Sequence, residues 1–122
     1  MLLVEVFYKK DIRNEDAIER AFITLSAILP ETVATALSCD HPDGRLTEDD
    51  VEARFMESNP VFDVTKNDID IVIFANFYPQ RGEIVDAGRD AITKRLGETM
   101  PPGLKFSIWI LLPSGSFAEF ET

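Results

Sequence analysis

Two stretches of this chain, VFYKKDIRNED and IFANFYPQRGE, pass through the same series of residue types, and that duplication limits what the chain can fold into. Each runs from an apolar strand through a short loop to an arginine, one small or polar residue, a glutamate and a helix. Arg13 and Arg81 take the same place in the two halves. The order strand-helix-strand is therefore read twice. Helices long enough to cross over make each half a right-handed β-α-β unit with parallel strands. The two units join into one four-stranded sheet with both helices on one face. This is an α+β fold in one domain, residues 1–122, with pseudo-repeat halves of about 1–60 and 61–122.

Local patterns place the elements. Leu2 to Tyr8 reads as a strand. Asn14 suits a helix N-cap, with Glu15 and Asp16 in the first turn, where the helix dipole favours acids. Ala17, Ala21, Leu25 and Ile28 recur at helical spacing, and Ile18, Phe22 and Leu29 widen the stripe. Pro30 either kinks this helix or opens a second short one over Glu31 to Leu37. DHPDGRLTEDD is a loop. VEARFME favours a strand with one wet face, and a helix capped by Thr47 is the competing reading. IDIVIFANF is apolar on both faces, as a central strand is. YPQRG is a turn before a helix over Glu83 to Leu96, with Ile84, Gly88, Ala91, Ile92 and Leu96 inward and Gly97 as its stop. LKFSIWILL is the last long strand, and PSGSFAEFET is a tail free to pair at an edge.

Strands one, three and four are apolar on both faces, yet two helices cover only one. The other face predicts a homo-oligomer with closed symmetry. The net charge of -10 argues against nucleic acid and anionic membrane as partners, since both are polyanions. No apolar run approaches the roughly 20 residues of a membrane span, and no signal-peptide pattern opens the chain. The one cysteine, Cys39, excludes an internal disulfide and fits a reducing compartment, so a cytoplasmic protein is expected.

The quoted segments resemble the tautomerase superfamily, the group that includes 4-oxalocrotonate tautomerase and macrophage migration inhibitory factor. YKKDIRNED is similar to the loop in which that family carries an arginine ahead of its helix. RLTEDDVEARFMES is similar to the family's entry into its second strand, and LLPSGSFAEF to its strand followed by a Gly-x-Phe tail. The resemblance covers nearly the whole chain and implies a trimer. It also implies keto–enol isomerisation of a small carboxylate-bearing 2-keto acid, with arginines holding the carboxylate and an amino-terminal proline as general base. A base of that kind needs a depressed amine pKa, so that it is neutral near pH 7.

Carried onto this sequence, the resemblance makes Arg13 a substrate-binding residue and Arg81 its counterpart in the second half. Arg54, on the polar face of the second strand, is a candidate to point into a site between subunits, and Phe117 is a candidate for the pocket mouth. The structural alternatives are an Arg13 paired with Glu15 or Asp16, a solvated or ion-paired Arg54, and a Phe117 that anchors an edge. Two positions depart from the family pattern. Residue 2 is Leu2, which leaves the amine of Met1, or an acidic residue, to move the proton. Glu52 stands where the family's second arginine best aligns. The departures keep a second reading open, a non-catalytic trimeric binding or scaffold protein of the same fold. Cys39 and His41 lack the further ligands that a metal requires, and their loop spacing is poor for a nucleophile pair, so both read as structural. Trp109 and Phe106 read as core or interface aromatics. No cofactor is expected, and the ligand is a small anion.

Overall fold

A computed structural model describes residues 2–11, 13–59, 66–116 and 118–122. Strand β1 (Leu2–Tyr8) leads to helix α1 (Glu15–Leu37), and a single 3-10 turn at Glu48–Asp50 opens strand β2 (Val51–Glu57). Strand β3 (Ile69–Phe74), helix α2 (Pro79–Thr99) and strand β4 (Phe106–Leu111) repeat the series. β1 pairs parallel with β2 and β3 pairs parallel with β4, while β1 and β3 meet antiparallel, giving the sheet order β2-β1-β3-β4. The expected α+β arrangement of two β-α-β units in one four-stranded sheet is the arrangement found.

One sheet face is covered. Leu2, Val4 and Val6 of β1 and Ile69, Ile71 and Ile73 of β3 are buried, while the residues between them are only half-buried. They pack beneath Ile18, Ala21, Leu25, Leu29, Val33 and Leu37 of α1 and Ile92 and Leu96 of α2. Full burial of side chains of this size stabilises the fold by about 1.5–3 kcal/mol each. Tyr8, Phe22 and Phe55 extend the core at the far end of β1 in two edge-to-face contacts, with ring centroids 4.4 and 5.4 Å apart. By length and composition α1 would also reach across a bilayer. Its apolar stripe is instead committed to the sheet, and Glu19, Arg20 and Glu31 lie on its exposed side.

Several boundaries differ from the sequence expectations. Helix α1 runs through Pro30 as one element, so no second helix opens there. Interior proline costs about 3 kcal/mol, and the continuous stripe from Ile18 to Leu37 against the sheet outweighs that cost. Helix α2 begins four residues before Glu83, because Pro79 occupies the first turn, where its missing N–H is no loss. It also passes Gly97 and ends at Thr99. Among the described residues the tail after Leu111 forms no strand, and its backbone contact is a bond from the Phe77 N–H to the Pro113 carbonyl. The VEARFME segment is a strand, and Thr47 does cap, but only the 3-10 turn ahead of it. Its hydroxyl and backbone N–H face the Asp50 carboxylate in a capping box.

The two helices touch at Gly88. A Cβ added there would stand 2.7 Å from the Ala36 carbonyl oxygen and 3.0 Å from a Leu37 methyl, whereas one added at Gly97 meets nothing. Gly88→Ala is therefore expected to destabilise by about 1–3 kcal/mol through overpacking, less the helix-propensity gain. Gly97→Ala should stabilise by roughly 0.5–1 kcal/mol, and urea titration of both variants reads the opposite signs.

The Thr47 backbone N–H, with its hydroxyl, holds the Asp50 carboxyl below its ordinary value of 3.8. A depressed folded value means that this contribution is present above the ordinary carboxylate range and is lost as pH falls through the folded value. Asp50→Asn should lower the melting temperature at pH 7, with the difference from the wild type vanishing at the acid end of the range.

Candidate functional site

The candidate side chains named from the sequence do not converge within one chain. Arg13 sits in the turn between β1 and α1, a turn fixed by Asn14. The Asn14 side chain accepts from the Asp11 N–H and donates to the Lys9 carbonyl and the Asp68 carboxylate. The Arg13 side chain is 92% exposed, and its nearest anion is Asp11 at 3.7 Å. Beside it, the hydrogen bond and charge of Glu15 raise the Lys10 pKa above its ordinary value, and Glu19 and Glu57 add to the rise. Asp16 and Glu15, the partners foreseen for Arg13, are thus not the ones it takes.

Arg54 lies mid-strand on the uncovered sheet face, opposite Glu5 in register, and donates to Glu52 through two nitrogens at 3.1 and 3.3 Å. Both side chains of that pair are solvent-exposed, so Arg54 is ion-paired, as the structural alternative expected. Met1 and Phe117 lie outside the described residues.

Arg81 is different in kind. Because α2 begins at Pro79, Arg81 belongs to its first turn, whereas Arg13 precedes α1, so the two arginines are not equivalent in three dimensions. Arg81 is 2% exposed, the one buried charged residue among those described. Its Nε donates to the Leu37 carbonyl at the end of α1 (2.9 Å), Nη1 to Asn76 (2.8 Å) and Nη2 to Gly44 (3.0 Å). One side chain thus ties together the last turn of α1, the 39–46 loop and the exit of β3. Among the described residues no carboxylate comes within ion-pair distance of it. The compensation comes from the three carbonyl dipoles and the negative end of α1.

The loop that Arg81 grips is stitched by its own backbone, with bonds from Cys39 N–H to Gly44, His41 N–H to Cys39 and Gly44 N–H to His41. Only glycine fits at position 44, because a Cβ would stand 2.3 Å from the Cys39 sulfur. His41 stacks on Tyr78, with centroids 4.0 Å apart and planes 17° apart, and the Arg81 guanidinium carbon lies 5.3 Å from the same ring. His41 Nδ1 accepts the Asp43 N–H. Over this cluster opens a cleft of about 340 Å³ lined by Pro42, Asp43, Arg45, Leu46, Asn76, Tyr78 and Arg81. A larger groove, about 620 Å³, runs between α1 and α2. Its walls are mostly Ala, Gly, Thr and Ile, and no buried charge faces it, so the Arg81 cleft is the more chemically equipped of the two. Among the described residues no group of three or more His, Cys, Asp or Glu side chains is placed to hold a metal.

Sequence reasoning found Arg81 through the repeat but missed Arg45, Asn76, Tyr78 and the role of His41. These positions share no periodic pattern, and Arg81 reaches partners 37 and 44 residues away.

No protein-family model matches the chain, and no curated protein matches it. A solved structure described as "Q0 fused 4-OT wild type symmetric trimer" is similar over 92% of this chain and 85% of that one, with 12% identity and a TM-score of 0.41. At that distance the likeness concerns the chain path alone.

Removing Arg81 would leave three buried carbonyls without their charged donor, so Arg81→Ala is expected to cost about 3–5 kcal/mol of stability. Arg13→Ala, at a solvated turn, should stay within about 0.5 kcal/mol of the wild type. Chemical denaturation of the two variants side by side reads the contrast.

Proposed function

We propose that the chain is a tautomerase-like protein, a homo-oligomer that binds a small carboxylate-bearing 2-keto acid and interconverts its keto and enol forms. The observation that carries this reading is the sheet face opposite the helices. Register places Leu3 and Phe7 of β1, Val72 and Phe74 of β3, Trp109 and Leu111 of β4 and Met56 of β2 together on that face. Trp109 is 62% exposed and Leu111 43%. These apolar residues alternate with Glu5, Glu52, Arg54, Asp70 and Ser107 on the same face. Large exposed apolar side chains in such a mixed surface support an interface, and a second copy offers the same chemistry. A trimer is the state that the family resemblance implies.

Oligomerisation also bears on the site. β1 is seven residues long, so its first residue and the Arg13 turn stand about 20 Å apart. An amine at the amino-terminal end and the Arg13 guanidinium therefore reach one small substrate only if they come from different copies. Arg54, on the open face, is also placed to meet a neighbouring copy. In the proposed reaction a base takes the proton of the enol oxygen and a proton is delivered to carbon, while the arginines hold the carboxylate. The Met1 amine is the base in this scheme, and Phe117 would line the mouth.

A second reading, a non-catalytic oligomeric binding or scaffold protein, is favoured by Leu2. At 1% exposure its side chain belongs to the core, so the position that carries the family's proline contributes packing here.

Two measurements test these readings. Light scattering should give a trimer mass for the wild type and a monomer for Trp109→Glu, which puts a charge on the open face. Ultraviolet-followed ketonisation of 2-hydroxymuconate and phenylenolpyruvate should exceed buffer and fall at least ten-fold in Arg13→Ala. A folded trimer without turnover would leave the scaffold reading, and a monomeric wild type would sink both.

A further inference from the structure

We propose that the outward stripe of α1 is an interface between two copies of this chain, packed antiparallel about a two-fold axis. Between Phe22 and Ser38 this helix carries a single charged residue, Glu31. In α2 the exposed positions hold Glu83, Asp86, Arg89, Asp90 and Lys94. The two helices cover the same sheet with unlike outer faces, and Ile23 stands 73% exposed on the uncharged one. In a chain of net charge -10, an exposed helix face kept clear of charge is suited to contact, because interface cores are depleted of charged residues.

The two ends of the stripe decide what covers it. At 3.6 residues per turn, Arg20, Ile23, Thr24, Ala27 and Glu31 fall within about 100° of one another, and Arg20 stands about 16 Å from Glu31 along the helix. Among the described residues neither charge has an ion-pair partner. Arg20 donates to the Asp16 carbonyl at 3.5 Å, and Arg95 lines the groove beside Glu31 without pairing with it. A stripe with a cation at one end and an anion at the other complements its own reverse. A two-fold axis at the level of Leu25 and Ser26 brings Arg20 of each copy level with Glu31 of the other, the self-complementary arrangement of a symmetric dimer. Ile23 of one copy then falls beside Ile28 of the other, and Thr24 beside Ala27. A partner of a single charge sign satisfies one end and opposes the other.

Shape allows the same packing. Ser26 and Ala27, beside the axis, are small enough to let two helices come close. Grooves between α1 and α2 open at both ends of the stripe, about 360 Å³ beside Arg20, Ile23 and Thr24 and about 620 Å³ beside Glu31 and Thr32. The side chains of a second helix therefore have grooves to enter. A single helix pair is a small contact, below the roughly 1,200 Å² of a stable specific interface, so the pair is weak and forms at high chain concentration. The stripe lies on the other side of the molecule from the open sheet face, and so this contact stands whether or not the keto–enol reading holds.

The test uses the full chain carrying Ala27→Cys and a short bis-maleimide crosslinker, which traps a weak pair. The native Cys39 is buried. On a denaturing gel a covalent dimer should form about ten-fold faster than in Asp90→Cys, an exposed control on α2, because the paired helices raise the effective concentration of the second thiol. Glu31→Arg or Arg20→Glu, added singly, sets like charges together at both ends and should slow crosslinking about ten-fold at low salt. Mixing the two reversed chains puts opposite charges back at both ends and should restore the rate. All of these positions are exposed, so the fold is retained. A rate in Ala27→Cys no greater than in Asp90→Cys, indifference to the single reversals, or a mixture no faster than its components would each overturn the proposal and leave the stripe to water or to the helix of another protein. The gel counts only chains joined through α1, so a sheet-face oligomer neither mimics nor hides the result.

Discussion

The antiparallel seam between β1 and β3 is the constraint on which the rest of the molecule depends. A β-α-β unit with two strands offers too narrow a floor to bury its own helix. At the seam Val4 meets Ile73 and Val6 meets Ile71, and the two narrow floors become one. The two helices then lie side by side on it, at a separation that Gly88 sets. The same pairing aligns the opposite face into continuous rows, such as Trp109, Val72, Glu5 and Arg54 across the four strands. The helix side closes a core, and the other side is left as a broad surface on which apolar residues are interleaved with charges.

The two ends of the sheet are built on different physics. Where β1 ends, the connection to α1 is a solvated turn held by Asn14, Asp11 and Asp68, and its lysines and arginine face water. Where β3 ends, the connection to α2 is closed by a buried guanidinium on three carbonyls. Low local dielectric strengthens each of those bonds, and with no counter-anion among the described residues the carbonyl dipoles are left to balance the charge. The duplicated fold therefore carries unlike chemistry in its two halves.

The alternation in β1 and β3 and the stripe of α1 were legible in the sequence, because burial on one face imposes a period that each element carries within itself. The uncovered face could be read by the same logic. Less legible was the start of α2. YPQRG carries turn residues, and only the fit of Pro79 into a first helical turn moves Arg81 inside the helix and ends its likeness to Arg13. The cleft was the least visible part. His41 and Arg45 come from one loop, Asn76 and Tyr78 from another, and neither segment has a pattern that announces the other.

What the sequence by itself determined is the architecture: two strand-helix-strand units, an inward face for each strand, and a surplus of apolar surface that two helices cannot cover. Those properties follow from spacing along the chain. Only the tertiary structure decided which charges are solvated and which are buried. It set Arg54 against Glu52 on the open face, left Arg13 in water, and buried Arg81 among carbonyls from segments far apart in the chain. The reason is that desolvation and charge pairing depend on what folding brings near a group, and a linear sequence does not carry that information locally.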